Sequence, residues 1–223
     1  MSRLLVLSIL VAVPAFAAPP AKKPIVAVLY FDVPEKNEDL AAFKKGLAEM
    51  LITDLVQGDQ LTVVERARLE EVLGELNLQS SGKVDPATAQ RVGKLLGAAY
   101  QVMGSIVPLG PQRLTFEVKV LHVETGKVIK TTRELAKPED VFEAEQKLAA
   151  SIQVLVAEAE KLAPPSPPKG ATRLRFDTAV KYSKALDAKD KRDKDKAVKL
   201  LNEVVKEQPD FKLAQLDLLN LTK

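Results

Sequence analysis

Cysteine is absent from this 223-residue chain. That removes disulfides, thiol nucleophiles, thiolate zinc sites and iron–sulfur clusters together. One histidine, His122, is present, so neither a His-pair zinc site nor a two-histidine relay can be built. Tryptophan is missing and aromatic residues make up 4%, a poor endowment for stacking nucleobases or sugars. After the first 18 residues no apolar run reaches the roughly 18–20 residues needed to span a bilayer. These absences disfavour most catalysis and point toward a binding or assembly role. Hydrophobic residues make up 46% and charged residues 28%, enough to build a core without a metal or disulfide staple.

The N-terminus has the three parts of a secretory signal. Arg3 supplies positive charge, Leu4 to Val13 is apolar, and Ala15-Phe16-Ala17 places small residues where a signal peptidase reads. The expectation is a signal peptide over 1–17, a short leader over 18–24, and an exported chain. The alternative is an uncleaved N-terminal anchor. No Cys follows the apolar run, so the bacterial lipoprotein route is closed.

A second break falls at Pro164-Pro165-Ser166-Pro167-Pro168, a sequence that favours extended geometry and stops a helix. A Pro-rich linker is therefore placed at 163–171. The charge balance changes across it. Residues 24–162 carry 16 basic and 21 acidic side chains, a net of −5, whereas residues 169–223 carry 14 and 9, a net of +5. Opposite net charge lets the tail dock on the first unit or on an acidic partner.

Residues 25–162 alternate strand and helix signals. Ile25 to Phe31 is a continuous apolar run, as in a strand covered on both faces. A helix is expected from Glu38 to Gln57, capped by Asn37, with Leu40, Phe43, Leu47, Leu51 and Leu55 inward. Leu61 to Val64 reads as a short strand and Glu65 to Leu76 as a helix. Asp85-Pro86 opens another helix, which Gly97 closes. Three strands follow, Ala99 to Pro108, Leu114 to Val123 and Lys127 to Leu135, the last two joined by a turn at Glu124-Thr125-Gly126-Lys127. In the middle strand Thr115, Glu117 and Lys119 alternate with apolar residues, so one face is wet. Pro138 starts a long helix in which Val141, Leu148, Leu155 and Leu162 lie seven apart, with Ile152 and Ala159 on the other seam. That stripe either covers a sheet face or forms a coiled-coil seam. The fold class is α/β (α+β): a mixed sheet of about five strands with flanking helices, followed by a small all-α hairpin over 172–223.

The blocks Ile25 to Asp32, Gly46 to Leu55, Val63 to Leu73, Asp85 to Ala89 and Gly93 to Ala98, with the strand to Ser105, occur in the order seen in the CsgG-like family. Residues 25–162 resemble that group, which also takes in FlgO-like and TolB N-terminal-like envelope domains. The resemblance implies a bacterial envelope domain with a mixed sheet. Channel-forming members carry a lipidated Cys and long amphipathic hairpins. This chain has no Cys, and its connections, such as Gly110-Pro111-Gln112, are short. Pore formation is therefore not carried over. Residues 172–222 look like a tetratricopeptide-type hairpin, with Ala185, Ala197, Leu201 and Pro209-Asp210-Phe211 at small, apolar and helix-breaking positions and a lengthened turn over 187–196; the alternative is a plain helical hairpin packed on the first unit.

No catalytic, cofactor-binding or metal residue is assigned, and no cofactor is expected. His122 shares the parity of Val120 and reads as structural. Gly82-Lys83, Gly93-Lys94 and Gly126-Lys127 lack the earlier glycine and following Ser/Thr of a phosphate loop. Asp187, Asp190, Asp193 and Asp195 lack the glycine and terminal Glu of a calcium loop and read as a solvated turn. Asp32, near Glu38 and Asp39, ends the first strand where α/β proteins often bind ligands.

The expected function is therefore a non-catalytic periplasmic or outer-membrane-associated protein acting by protein–protein binding in envelope assembly or secretion. The alternatives are a channel subunit and a secreted carboxylate-dependent hydrolase. The partner is expected to be an envelope protein or a second copy, with no nucleic acid, no integral span after signal cleavage, and peripheral membrane attachment left open.

Overall fold

The computed structural model describes residues 22–34, 36–78, 85–110, 112–165 and 174–223. The expected signal, most of the expected leader, the loop centred on Ser80-Ser81-Gly82 and most of the expected Pro-rich linker lie outside them. Five strands form one mixed sheet, β1 (Ile25–Val28), β2 (Thr62–Val63), β3 (Tyr100–Pro108), β4 (Leu114–His122) and β5 (Lys127–Ala136), in the order β2-β1-β3-β4-β5. β1 runs parallel to β2 and β3, whereas β3, β4 and β5 run antiparallel. The helices are α1 (Glu38–Gln57), α2 (Arg66–Glu75), α3 (Pro86–Leu95), α4 (Val141–Ala159), α5 (Phe176–Asp190), α6 (Lys194–Glu207) and α7 (Lys212–Thr222). The expected mixed sheet with flanking helices and a following helical hairpin is what the chain forms.

The helix starts follow from local chemistry. Asn37 Oδ1 accepts from the Leu40 amide at 3.0 Å, and Asp85 Oδ1 accepts from Ala87 and Thr88 with Pro86 in the first turn. Gly97, at φ +67°, takes the left-handed conformation that closes α3.

The apolar run 25–31 departs from its expected form. Strand pairing is regular only over Ile25–Val28, after which the backbone stays tied to β3 by Leu29 N–H to Val102 O and Asp32 N–H to Gly104 O. The break places the Tyr30 hydroxyl on Glu70 and packs Phe31 over Gly104. A Cβ on Gly104 would sit 2.2 Å from the Glu117 carbonyl oxygen, so that position excludes a side chain.

Alternation decides which face is buried. Val26, Val28, Tyr100, Val102, Ile106, Phe116, Val118 and Val120 share the face packed against α1 and α4. Ala27, Leu121 and Val123 lie on the other face, in a small cluster with Ala98. The heptad stripe of α4 resolves in favour of the sheet: Val141, Leu148, Ile152 and Leu155 are buried within the chain, while Ala159 is exposed.

α5 packs along α1, with Phe43 edge-on to Phe176 at 5.2 Å between ring centroids. The two helices are in close contact at Gly46, whose amide lies 3.1 Å from Ser183 Oγ. A Cβ at 46 would fall 2.0 Å from that oxygen. Gly46→Ala is therefore expected to lose about 1–3 kcal/mol in urea unfolding, with recovery in Gly46→Ala/Ser183→Gly. An unchanged midpoint in the single variant would show that α5 is not held here. The turn over 187–196 is tighter than expected, because Asp187 and Asp190 are helical and residues 191–193 alone connect α5 to α6. Asp193 caps α6 through the Lys196 amide.

Candidate functional site

β3, β4 and β5 leave one face without a helix over most of its length, and their register arranges it in rows. Val107, Thr115 and Leu135 lie side by side, followed by Ser105, Glu117 and Arg133, then Met103, Lys119 and Thr131. Val107 is 48% exposed and Leu135 59%, so the first row is an apolar strip in water. Leu109, 47% exposed, lies just past the end of β3. The second row is ionic: Arg133 Nε donates to Glu117 Oε2 at 2.8 Å and Lys119 lies 3.0 Å from Glu117 Oε1. Arg133 and Lys119 hold the Glu117 carboxyl below its ordinary range. An open cleft of about 390 Å³ adjoins these rows, lined by Asp32, Val33, Lys36, Ser105 and Val107 among others. Asp32 Oδ1 is buried and has no hydrogen-bond partner. Sequence alternation identified the wet face of β4. It did not single out Val107 or Leu135, because their exposure depends on strand order.

Behind the sheet a second polar cluster joins the tail to the first helices. Arg66, 6% exposed, donates from both terminal nitrogens to Asp190 at 2.8 and 2.9 Å, and its Nε donates to Glu49 at 2.9 Å. Tyr30 Oη donates to Glu70 at 2.6 Å. Lys45 pairs with Glu70, Asp187 and Asp190 at 3.1, 3.0 and 2.9 Å. Burial opposes charge on Arg66, but the hydrogen bonds and attraction of Asp190 outweigh it and raise its pKa. Burial likewise opposes charge on Asp190, and Arg66 and Lys45 outweigh it to hold that carboxyl low. Asp187 and Asp190 thus belong to an interhelical clamp rather than to a solvated turn. Tyr182 Oη donates to Asp217 at 2.8 Å and stacks edge-on with Phe211, fastening α7 to α5.

The remaining flagged residues do not converge. Asp39 pairs with Lys184 on the far helix at 3.5 Å, and the cleft at Asp32 contains no second acid among its described lining residues. His122 packs edge-on to Tyr100 and its Nδ1 accepts from the Thr125 amide at 3.3 Å, a role in the hairpin turn. Gly93-Lys94 is inside α3, and Gly126, at φ +68°, serves the turn. Among the described residues no group of three or more His, Asp or Glu side chains could hold a metal ion. No described helix is long and apolar enough to cross a membrane.

The class defined by this geometry is an α+β sheet protein braced by a helical tail, with its antiparallel half open to solvent. The family described as curli production assembly/transport component CsgG matches residues 12–116, which bears out the resemblance read from the sequence. No curated protein matches the chain. Among solved structures it is similar to the LpoB C-terminal domain from Salmonella enterica, with 15% identity over 52% of this chain and 83% of that one, at a TM-score of 0.41. It is also similar to TolB from Acinetobacter baumannii, with 14% identity over 62% and 29% of the two chains and a TM-score of 0.42. Lipoprotein GNA1162 from Neisseria meningitidis gives 12% identity over 61% and 96%, at 0.41.

Proposed function

We propose that this chain is a non-catalytic protein of the bacterial envelope that acts by binding another protein on the open sheet face, with residues 25–162 as the binding unit and the helices beyond Phe176 as its brace. The carrying observation is the exposed row Val107–Thr115–Leu135 flanked by the Glu117–Arg133–Lys119 charges. An apolar centre with a charged rim suits a folded partner of complementary pattern. The secretory pattern at residues 1–17 and the CsgG-family match support the envelope setting. The hydrolase alternative needs paired acid–base groups, and the cleft supplies Asp32 alone among its described lining residues.

The test is in-cell cross-linking followed by envelope fractionation, comparing the wild-type chain with Val107→Asp. Val107 is half exposed, so the charge is expected to leave the melting temperature within about 2 °C. Capture of the partner is expected to fall about tenfold or more. Undiminished capture by the variant would place the docking surface elsewhere.

A further inference from the structure

β5 is the outer strand of the sheet, ten residues long, and exposed at every position from Lys127 to Thr131 and again at Arg133 and Leu135. A long edge presents free backbone donors and acceptors to another strand. Its charges are distributed unevenly. Arg133 is engaged within the chain by Glu117, whereas Lys130 and Glu134 form no ion pair among the described residues. Both lie on one parity, opposite Val120 and Phe116, and flank Thr132 symmetrically.

We infer that β5 pairs antiparallel with the β5 of a second copy of this chain, about a two-fold axis through Thr132, to give one continuous ten-stranded sheet. Backbone geometry restricts the choice. In an antiparallel ladder every second residue turns its N–H and C=O outward, so a symmetric pair must join residues of like parity and its axis must pass through a residue. An axis at Lys130, Arg133 or Glu134 sets like charges face to face. An axis at Thr131 sets Lys130 against Thr132 and gives neither Lys130 nor Glu134 a counter-charge. The axis at Thr132 places Lys130 opposite Glu134 twice, with Thr132 facing itself. Each such cross-strand pair is favourable. The irregularity between Val120 and Leu121, where Ile129 is skipped in the β4 pairing, ends the ladder on that side. The pairing uses the sheet edge, with Lys130 and Glu134 on the parity of the α4-covered face, and so goes beyond the reading of the open face without depending on it. The interface is small, so the association is concentration-dependent.

The experiment uses the full mature chain. Sedimentation equilibrium is expected to show a reversible dimer. Lys130→Glu and Glu134→Lys, each of which puts like charges together twice, should each weaken it about tenfold or more, and the double reversal should restore it. The absence of native cysteine allows a direct geometric check. Thr132→Cys is expected to form a disulfide-linked dimer under mild oxidant, and Lys199→Cys, exposed on α6, is expected not to. A wild-type chain that stays monomeric at about millimolar concentration overturns the inference. So do single charge reversals without effect, or equal cross-linking of the two cysteine variants. Loss of self-pairing with Val107-dependent capture intact removes this inference alone. A Thr132→Cys dimer with capture indifferent to Val107→Asp removes the open-face reading and leaves the pairing standing.

Discussion

Replacing Arg66 with methionine is expected to destabilise the chain by about 3 kcal/mol in urea unfolding at neutral pH. The Arg66 side chain is 5% exposed and supplies two hydrogen bonds to Asp190 and one to Glu49. Removing one partner of a buried ion pair leaves the other charges desolvated and unmatched, typically costing about 3–5 kcal/mol. The acids here retain 22% and 26% exposure, so water recovers part of the loss and the lower figure is the better expectation. The damage should concentrate at α5, whose amides are expected to lose exchange protection before those of β3 and β4. Asp190→Asn should cost less, since an amide still accepts from Arg66. The linkage has a definite sign. Asp190 is held below its ordinary value, so its contribution is complete above the unfolded value near 3.8 and is lost as pH falls through the lower folded value. Acid unfolding of the wild-type chain should therefore begin at this clamp, and Asp190→Asn should flatten the acid limb. A loss below about 1 kcal/mol for Arg66→Met would mean that packing alone holds the tail.

The same clamp shows how far the sequence could be read. Local features were legible because their causes are local: the Asn37 and Asp85 caps, the Gly97 stop, the Gly126 turn, and the alternation of β4. The opposite net charges of the two parts left docking open, on each other or on an acidic partner, and the tail packs on α1. Yet apart from the pair Asp39–Lys184, the ion pairs between the two parts run against the sense of those totals. The basic partners, Lys45 and Arg66, belong to the acidic part, and the acids, Asp187 and Asp190, belong to the basic tail. Net charge sets long-range attraction, but the paired groups are chosen by which helices cross, and Arg66 and Asp190 are 124 residues apart. The open face has a similar history. Alternation exposed one side of β4, but the row of Val107, Thr115 and Leu135 exists only once β3 and β5 flank it in register. The edge character of β5 is likewise a property of strand order, which no stretch of β5 encodes by itself.

A second large effect is expected at Glu145. This residue lies on the inward side of α4, fully buried, and neither carboxylate oxygen has a hydrogen-bond partner. Burial, reinforced by Asp54, raises its pKa well above the usual carboxylate range. Asp54, on α1, is itself pushed up to about 6 by burial. In the native state Glu145 therefore keeps a proton that the unfolded chain releases above about pH 4.5. The unfolded chain binds fewer protons, so stability falls as pH rises from there through the folded pKa, at up to about 1.4 kcal/mol per pH unit. Asp54 adds a slope of the same sign between its ordinary value of 3.8 and about 6. Glu145→Met removes the unpaired group while filling its volume, and is expected to stabilise the chain by about 2 kcal/mol at pH 8. The gain should shrink toward pH 4, where the native and unfolded carboxyls are both largely neutral. Urea unfolding at several pH values measures both the gain and its slope. A Glu145→Met variant that is less stable at pH 8, or that keeps the wild-type pH slope, would show that the carboxyl is ionised and satisfied in solution. The expected result makes Glu145 a standing cost at neutral pH in a helix most of whose other inward residues build the core. Its removal should leave the open face of the sheet unchanged, because α4 covers the opposite side.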